Sequence, residues 1–577
     1  MTTADPITTE IIRNALISCA QDMNATLIRS AYTPIIYEGK DCAVALLDSE
    51  ASVLGQSLGV PLFLGNLEAC VKLTAGRLGW DAFQPGDVFH MNDSYMTGTH
   101  LNDATIFAPV HWQDRLVGFA ATRAHWLDVG AKDPGGPMDS HEIFQEGVRW
   151  APTRIYERGR PREDIIDLLQ RNGRFGYSLV GDMNAQVAAC RTGERRLQAI
   201  LDRFGYDSYV AARDEIFRQS AQLEREAVEA IADGVYLAEG ALDNDGLGHD
   251  PIPVRVRVEV SGDRMSIDLD GSSPQARGPV NCGFAQTISA CRMAFKLLVA
   301  PNRPVDGGTF RTLTVAAPPG SIFCAQEPAA CQWYFTPLGL LIDLIIEALA
   351  EALPGAVAGA HYGDSMVIYV AGRDPRRGET PFLSVEPTPG GWGGSALRDG
   401  QDGLINMVNG AFKDIPIEVY ETKYPVTLRE YGFRPDTGGT GRQRGGCGVR
   451  RVYELNTPAA VSLWFERSVT PAWGLVGGQS GAPPDVAVNP GRQDERHLLK
   501  ANSMTLEAGD VVEVRTGGGG GFGPALERDP DLVLRDVLDG HVTRNGANRD
   551  YGVVVAPDGS IDEEATRRVR STWRATI

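Results

Sequence analysis

The chain has 577 residues, several times the roughly 100–200 of one domain, and its 43% hydrophobic and 22% charged fractions exclude a disordered, collagen-like or coiled-coil protein. Its 55 basic and 74 acidic residues give a formal net charge of −19, which repels phosphate backbones and anionic lipids. Composition therefore argues against a nucleic-acid-binding or membrane-surface protein.

The N-terminal part is predicted to begin with a helix followed by a buried strand. Apolar residues recur every three or four positions after Thr8 or Thr9, either of which could cap the helix. The run at 41–48 is apolar between two aspartates and predicts the strand. Glu38 and Asp41 therefore lie where that strand begins.

A loop and a β-hairpin are predicted next. Residues 91–103 are mostly polar and contain glycine, as loops do. Two apolar runs follow at 104–112 and 116–125, and the three polar residues between them favour a hairpin. If the turn is centred near residue 114, the numbers of paired residues sum to about 227 or 228.

Histidine is concentrated in this region, where five of the nine histidines lie within 52 residues. They are His90, His100, His111, His125 and His141. The hairpin register places His125 opposite Asn102 or Asp103, so that His100, Asp103 and His125 converge. Two imidazoles and a carboxylate, with the acids at the strand entrance, suit a divalent ion such as Zn, Mn or Fe(II) that keeps an open coordination position. Histidines that are merely hydrogen-bonded in the core or hairpin remain the alternative.

The rest of the chain combines helices with short strands. The helices are predicted at about 161–171, 182–203, 205–232, 284–299 and 334–352. Residues 235–270 are strand-rich, and glycine-punctuated strands continue to residue 525. Asp529-Pro530 is typical of the start of a helix, which opens a C-terminal appendage.

These elements predict an α+β fold. We expect a mixed, strand-rich, multidomain chain with an N-terminal metal-binding α/β portion and a glycine-rich β portion towards the C terminus. The predicted units are a metal-site domain at 1–235, a central glycine-rich domain at 236–525 and a helical appendage at 526–577.

Four glycine clusters lack the motifs of nucleotide-binding loops. They span 390–394, 438–441, 445–448 and 517–521. None continues as Gly-Lys-Ser or Gly-Lys-Thr, and no G-x-G-x-x-G opens a helix after a strand. Close packing or tight turns are the favoured interpretation. A G-x-S-x-G elbow is also lacking, so that a serine-hydrolase triad is not supported.

The cysteines and the N terminus indicate a cytoplasmic protein. The nine cysteines are scattered, odd in number and never spaced C-x-x-C, as expected of reduced, mostly buried thiols. The sequence shows neither a signal-peptide pattern nor an apolar window of eighteen residues.

Motifs spread over nearly the whole chain resemble one known family. They are Leu-Ile-Arg-Ser-Ala-Tyr at 27–32, Gly-Thr-His-Leu-Asn-Asp at 98–103, Glu-Ile-Phe-Gln-Glu-Gly at 142–147, and the segments 38–41, 92–93, 399–400, 416–418, 424–425, 436–441, 444–446, 517–523, 535–537 and 550–552. In them the chain resembles the hydantoinase B/oxoprolinase family. That family contains the B-type subunits of ATP-dependent hydantoinases, with relatives in 5-oxoprolinase and in the acetone and acetophenone carboxylases.

The resemblance implies a metal site and a partner. His100, Asp103 and His125 fall at ligand positions for a zinc, manganese or iron ion, with Asp41 completing the shell and Glu38 beside it as a general base. It also implies a hetero-oligomer with an A-type, hydantoinase A-like subunit. That subunit uses ATP and Mg to phosphorylate the oxygen of a cyclic amide. Phosphorylation makes the amide an imidate-like electrophile, and a metal that lowers the pKa of water to about 7 supplies the nucleophile.

The function expected from this resemblance is the metal-containing subunit of an ATP-dependent hydantoinase, oxoprolinase or lactamase. A subunit of an acetone- or acetophenone-type carboxylase needs the same site and partner and is the first alternative. A non-haem Fe(II) oxygenase is the second, although His100-x-x-Asp103 is not its usual His-x-Asp pair. A scaffold without activity is the third. One departure is Phe63-Leu64-Gly65, where many relatives carry His-Leu-Gly.

Overall fold

The computed structural model describes residues 5–574, which form both helices and strands. The helices are α1 (Pro6–Ser30), α2 (Pro34–Tyr37), α3 (Pro61–Leu64), α4 (Leu67–Leu78), α5 (Ser94–Thr97), α6 (Glu163–Asn172), α7 (Gly176–Phe204), α8 (Tyr206–Glu229), α9 (Phe284–Leu298), α10 (Phe335–Ala348), α11 (Ile417–Lys423), α12 (Pro530–Leu538), α13 (Arg544–Tyr551) and α14 (Glu563–Arg574). The strands are β1 (Cys42–Asp48), β2 (Val53–Gln56), β3 (Val88–Met91), β4 (Asp103–Trp112), β5 (Arg115–His125), β6 (Thr153–Glu157), β7 (Arg160–Pro161), β8 (Gly234–Leu242), β9 (Ile252–Ser261), β10 (Arg264–Asp268), β11 (Leu313–Ala316), β12 (Val367–Asp374), β13 (Thr380–Pro387), β14 (Val426–Phe433), β15 (Val449–Leu455), β16 (Ala459–Trp464), β17 (Asp485–Val488), β18 (Arg496–His497), β19 (Lys500–Leu506) and β20 (Val511–Arg515). The predicted α+β class is confirmed.

Two local predictions are wrong: the cap of the first helix and the loop at 91–103. In both places an aspartate caps a helix. The first helix begins at Pro6, and its cap is Asp5, whose carboxylate accepts a hydrogen bond from the backbone N–H of Thr8 at 2.9 Å. The predicted loop at 91–103 contains the short helix α5, which Asp93 caps in the same way.

The N-terminal sheet is antiparallel, with strand order β2-β1-β5-β4-β3-β6-β7. Helices α1 and α7 pack on one of its faces and α4 on the other. Because both faces are covered, β1 is buried at every residue, which explains its uninterrupted apolar sequence. The chemistry-bearing residues at the ends of β1, β4 and β5 therefore lie deep in the molecule.

The central region adds three further sheets. Strand β9 lies inside the sheet β11-β10-β9-β8 and buries alternate valines against helix α10, as its sequence predicts. The sheets β13-β12-β16-β19 and β14-β15-β20-β17-β18 share a core of their own. The opposite face of β12 and β13 contributes Val367, Tyr369, Leu383 and Val385 to the large core that contains α1 and α7. This face brings the central region against the N-terminal sheet.

The glycine-rich segments pack around one extended strand of backbone, residues 517–523. The N–H groups of Gly518 and Gly521 donate to carbonyl groups of the same neighbouring segment, 479–482, at 3.0 and 2.9 Å. The next pair along the run donates in the same way to the segment 443–446, at 3.0 and 2.8 Å. A repeat of three residues is that of a polyproline-II-type helix, whose hydrogen bonds go to neighbours and not to itself.

Glycine is required in this bundle because its backbones touch. A Cβ atom on Gly518 would lie 1.8 Å from the carbonyl oxygen of Thr437, and one on Gly519 would lie 2.0 Å from that of Trp392. Residues 517–521 are buried. Close packing, the interpretation favoured from the sequence, is confirmed.

The predicted domain boundaries at 235 and 525 stay predictions. The large core draws buried residues from Ile12 to Phe522, so that the N-terminal and central regions share it. Helices α12 and α13 have a small cluster of their own. Arg528, 1% exposed, ties this C-terminal part to the central region by an ion pair with Asp399 at 2.7 Å.

The thiols follow the sequence expectation. None of the nine cysteines forms a disulfide, and all but the half-buried Cys324 are buried. Among the helices of residues 5–574, none combines the length and the apolar character needed to cross a membrane.

Candidate metal centre

Three side chains converge where the central hairpin enters the core. Strand β4 begins at Asp103 and β5 ends at His125, and the two residues are directly paired, as the register predicts. His100 comes from the turn before β4. Its Nε2 atom lies 2.8 Å from Asp103 Oδ1 and 3.1 Å from His125 Nδ1, and the latter two atoms are 3.2 Å apart. All three side chains are buried.

A backbone contact determines which ring nitrogen of His100 carries a proton, and so which one offers a lone pair to the cluster. His100 Nδ1 lies 3.0 Å from the carbonyl oxygen of Gln332, which can only accept, so Nδ1 carries a proton. In the neutral ring, Nε2 then presents its lone pair to the Asp103 carboxylate. Two lone pairs 2.8 Å apart repel, and either a proton or a bound cation must lie between them.

The electrostatics of the two imidazoles differ. Burial opposes the charged form of His100, but the Asp103 carboxylate outweighs it and raises the pKa of His100. Burial dominates at His125 and lowers its pKa. The cluster therefore concentrates electron-rich donors in a buried site.

Asp41 is the fourth acidic or imidazole side chain at the site. Its backbone carbonyl accepts from the N–H of His125 at 3.1 Å, which continues the pairing of β1 with β5. Asp41 lines the same small cavity as His100, Asp103 and His125, but it is not in the group of ligand atoms that lie within 4.8 Å of one another, which those three residues form. Burial, and after it the charge of Asp103, raises the pKa of Asp41 to about 8.

The cavity beside the cluster is closed by residues from the central region. It has a volume of about 40 Å³, enough for one or two water molecules. Phe335 and Tyr369 form its apolar wall together with Phe63 of α3. Tyr334 donates its hydroxyl hydrogen to Asp103 Oδ2 at 2.8 Å, which leaves Oδ1 for the cluster. Local sequence patterns could not reveal Tyr334, because it lies 231 residues from Asp103.

Glu146 fixes the backbone that orients His100. Its carboxylate accepts from the N–H groups of Cys331 and Gln332, both at 2.9 Å, and from the hydroxyl of Ser140 at 2.7 Å. The carbonyl of Gln332 in turn accepts from His100. Burial raises the pKa of Glu146 to about 7, although these hydrogen bonds oppose the shift. The motif at 142–147 pointed to this residue without giving its role.

Glu146→Gln is expected to weaken metal binding without unfolding the chain. The substitution removes the charge from three hydrogen bonds, and bonds to charged groups are worth about 1.5–3 kcal/mol. Loss of a group that orients a metal ligand without binding the metal itself lowers metal affinity about 10–100-fold. Metal titration of the purified chain measures the effect, with the exposed Glu157→Gln as control. Equal affinities in the two variants would contradict this role.

The other predicted residues do not join the cluster. His90 is buried, stacks on Trp126 at 4.9 Å between ring centroids, and has a pKa lowered to about 3 by burial. His111 is half-buried and His141 is exposed, and neither lines the cavity. Glu38 is half-buried at the C-cap of α2 and does not line the cavity either.

The geometry fits a divalent cation. Metal–ligand bonds of about 2.1 Å, at angles of about 90–109°, separate neighbouring ligand atoms by about 3.0–3.4 Å. The three atoms of the cluster lie 2.8–3.2 Å apart, and the repelling lone pairs of His100 and Asp103 are those that a cation would bring together. The donors are nitrogen and oxygen without thiolate, a set that suits Zn, Mn or Fe(II).

Comparison with known proteins identifies the family of the chain. The sequence profile described as hydantoinase B/oxoprolinase matches residues 5–525. The chain belongs to the hydantoinase B/oxoprolinase family. The resemblance noted in the sequence motifs is confirmed.

Relatives within and near this family span the whole chain. Caprolactamase subunit beta of Pseudomonas jessenii is 32% identical over 587 residues, covering 99% of this chain and 100% of that protein. The crystal structure of ATP-dependent caprolactamase from the same organism matches with a TM-score of 0.92 at 31% identity, over 99% of this chain and 100% of that one. A nucleotide-free acetone carboxylase structure, 19% identical, matches with a TM-score of 0.89 over 99% of this chain and 83% of that one, which shows a shared fold.

Proposed function

We propose that this hydantoinase B/oxoprolinase family member is the metal-containing subunit of an ATP-dependent cyclic-amide hydrolase of the hydantoinase, oxoprolinase or lactamase type. The observation that supports it most is the convergence of His100, Asp103 and His125, with donor atoms 2.8–3.2 Å apart, in a chain 32% identical to caprolactamase subunit beta.

In this proposal the metal, zinc or manganese or else iron, is held by His100, Asp103 and His125, with Asp41 as the acidic group that completes the set. A divalent cation supplies Lewis acidity that polarises a carbonyl oxygen and acidifies water. The chain's own residues prepare the site for it: Tyr334 turns the Asp103 carboxylate, and the carbonyl of Gln332 fixes the ring of His100.

The side chains around the metal centre are of the kinds that would contact a cyclic amide once the cavity, which now has room for one or two water molecules, widens to admit it. Phe63, Phe335 and Tyr369 offer an apolar surface to ring methylene groups and keep bulk water out. Ser365 and Asn409, hydrogen-bonded to each other at 2.8 Å, supply hydroxyl and amide groups on the same wall for the polar edge of the ring. Glu38 stays a prediction as general base, since it lies three residues from Asp41 but outside the lining of the cavity.

The proposal assigns ATP and Mg to a separate A-type, hydantoinase A-like ATPase. Amide resonance opposes hydrolysis. Phosphorylation of the amide oxygen by that subunit removes this resonance before the metal subunit acts. The name of the relative as a subunit beta supports a hetero-oligomer. The buried glycine run at 517–521 does not act as a phosphate loop, because the N–H groups of residues 518–521 already donate to protein carbonyls.

Reconstitution tests this function. The chain, co-purified with an A-type, hydantoinase A-like ATPase, is expected to consume ATP in step with ring opening of a lactam, a hydantoin or 5-oxoproline. Each substrate is assayed for ADP and for the ring-opened acid. ATP-dependent consumption of bicarbonate with acetone or acetophenone would favour the carboxylase alternative instead. Oxygen-dependent turnover without ATP would favour the oxygenase.

A further inference from the structure

A second and much larger cavity lies on the other side of α3 from the metal centre. This groove has a volume of about 490 Å³ and is bordered by α3, α4, α9 and the segment 301–311. Pro61 and Leu64 of α3 face the groove, whereas Leu62 and Phe63 face the metal cavity. One short helix therefore separates two sites whose chemistry differs.

The floor of the groove is apolar. Leu64, Met293, Leu297 and Phe310 line it, and Leu297 is 41% exposed. An apolar side chain left open to solvent within a concave surface marks a place where a ligand can gain by burial. A cavity of this volume lies within the range of about 300–1,000 Å³ typical of small-molecule sites.

Basic side chains predominate among the charged residues at the groove. Lys72, Arg292, Lys296 and Arg311 line it against two carboxylates, Glu68 and Asp306. The buried Glu224 pairs with Lys296 at 3.3 Å, so that four positive and three negative charges leave an excess of one positive charge, in a chain whose net charge is −19. The groove is thus a local positive region that attracts anions.

The two carboxylates are already engaged within the protein. Glu68 pairs with Arg292 at 2.8 Å. Asp306 accepts from the hydroxyl of Ser220 at 2.5 Å and from the N–H of Gly308 at 2.8 Å. Arg292 therefore offsets the charge of Glu68, whereas the neutral donors hold the Asp306 carboxylate in place without cancelling its charge.

Lys72 is the cation best placed for a ligand. Its ammonium group forms a long ion pair with Glu68, at 3.8 Å and without a hydrogen bond, and its side chain is 47% exposed. Arg292, by contrast, is held by the carbonyl of Gly65 at 2.9 Å as well as by Glu68. Arg292 shapes the groove, and Lys72 is left to neutralise a charge brought in from solvent.

We propose that this groove binds an organic anion with an apolar body, namely a chain or ring of about six carbons that ends in a carboxylate or a phosphate. The apolar part lies on the floor formed by α3 and α9, and the anionic group points to Lys72. This site goes beyond the proposed function, and it requires neither the metal nor the partner. The proposed function names two sources of such a molecule: the phosphorylated substrate and the ring-opened acid.

Calorimetric titration of the full chain tests the proposal with three probes that share one apolar body: hexanoate, hexyl phosphate and hexanol. We expect both anions to bind at least about tenfold more tightly than the neutral alcohol. Lys72→Glu is expected to weaken both anions by about tenfold or more and to leave hexanol unchanged. Lys413→Glu makes the same charge change at an exposed lysine outside the groove and should alter none of the three affinities.

The outcomes separate this site from the metal centre. His100→Ala is expected to keep anion binding, because the groove lies beyond α3. Tighter binding of hexyl phosphate would identify the phosphorylated substrate as the source, and tighter binding of hexanoate the ring-opened acid. Equal binding of all three probes, or anion affinities unchanged in Lys72→Glu, would overturn the proposal while leaving the hydrolase assignment intact.

Discussion

Gly519→Ala is expected to leave no soluble, folded chain. The added Cβ would lie 2.0 Å from the carbonyl oxygen of Trp392 and 2.1 Å from its carbon, and both are backbone atoms that cannot rotate away. Overpacking of a core costs about 1–3 kcal/mol even when side chains can adjust. Here whole segments must separate, so we expect the free energy of unfolding to fall by at least about 3 kcal/mol, a large part of the about 5–15 kcal/mol of a native protein.

Soluble yield and the midpoint of thermal unfolding measure this effect. Gly432→Ala in β14 is the matched control, because no atom lies within 4 Å of the Cβ it would add. That variant is expected to stay within about 0.5 kcal/mol of the parent. A Gly519→Ala protein with the parent's yield and melting temperature would show that the segments are not in backbone contact.

His100→Ala is expected to abolish metal binding and ATP-coupled product formation while the fold is kept. The imidazole supplies one of three converging donor atoms, and its loss leaves the Asp103 carboxylate with only His125 and Tyr334. Since removal of partners outside the ligand set already costs about 10–100-fold in metal affinity, removal of a ligand should cost more than about 100-fold. Elemental analysis of the purified chain and assay with the A-type subunit provide the two readouts.

The control for this variant is His141→Ala, an exposed histidine of the same region. It should retain the parent's metal content and turnover. Circular dichroism and melting temperature should be alike in both variants, which separates loss of the site from loss of the fold. Full metal content or full turnover in His100→Ala would remove the assignment of this residue.

Hairpin register is the reason that the cluster could be predicted from the sequence. Gln113 and Asp114 both have positive φ, +49° and +60°, as in the two-residue turn that joins twisted strands. A bulge at His111 changes the sum of paired residue numbers from 227 near the turn to 228 beyond it. Only the second value pairs Asp103 with His125. Local geometry sufficed because the two strands are consecutive.

The groups that support the cluster could not be predicted in this way. Gln332 and Tyr334 reach His100 and Asp103 from more than 200 residues further along the chain. No periodicity or turn chemistry encodes a contact of that kind, since it depends on how the central region packs on the N-terminal sheet. The role of Glu146 is hidden for the same reason, because its partners are the N–H groups of residues 331 and 332.

The glycine run follows in the sequence every segment that packs around it, and this constrains the order of folding during synthesis. Segments 390–394, 438–448 and 472–482 leave the ribosome before residues 517–523, around which they assemble. Until then their backbone groups are bonded to water, and the segments have no shared axis. Non-local assembly of this type is slow and exposes the nascent chain to aggregation. The glycine bundle thus forms only after residues 517–523 have been made, so that a ribosome stalled before residue 517 holds a chain whose central region is still open.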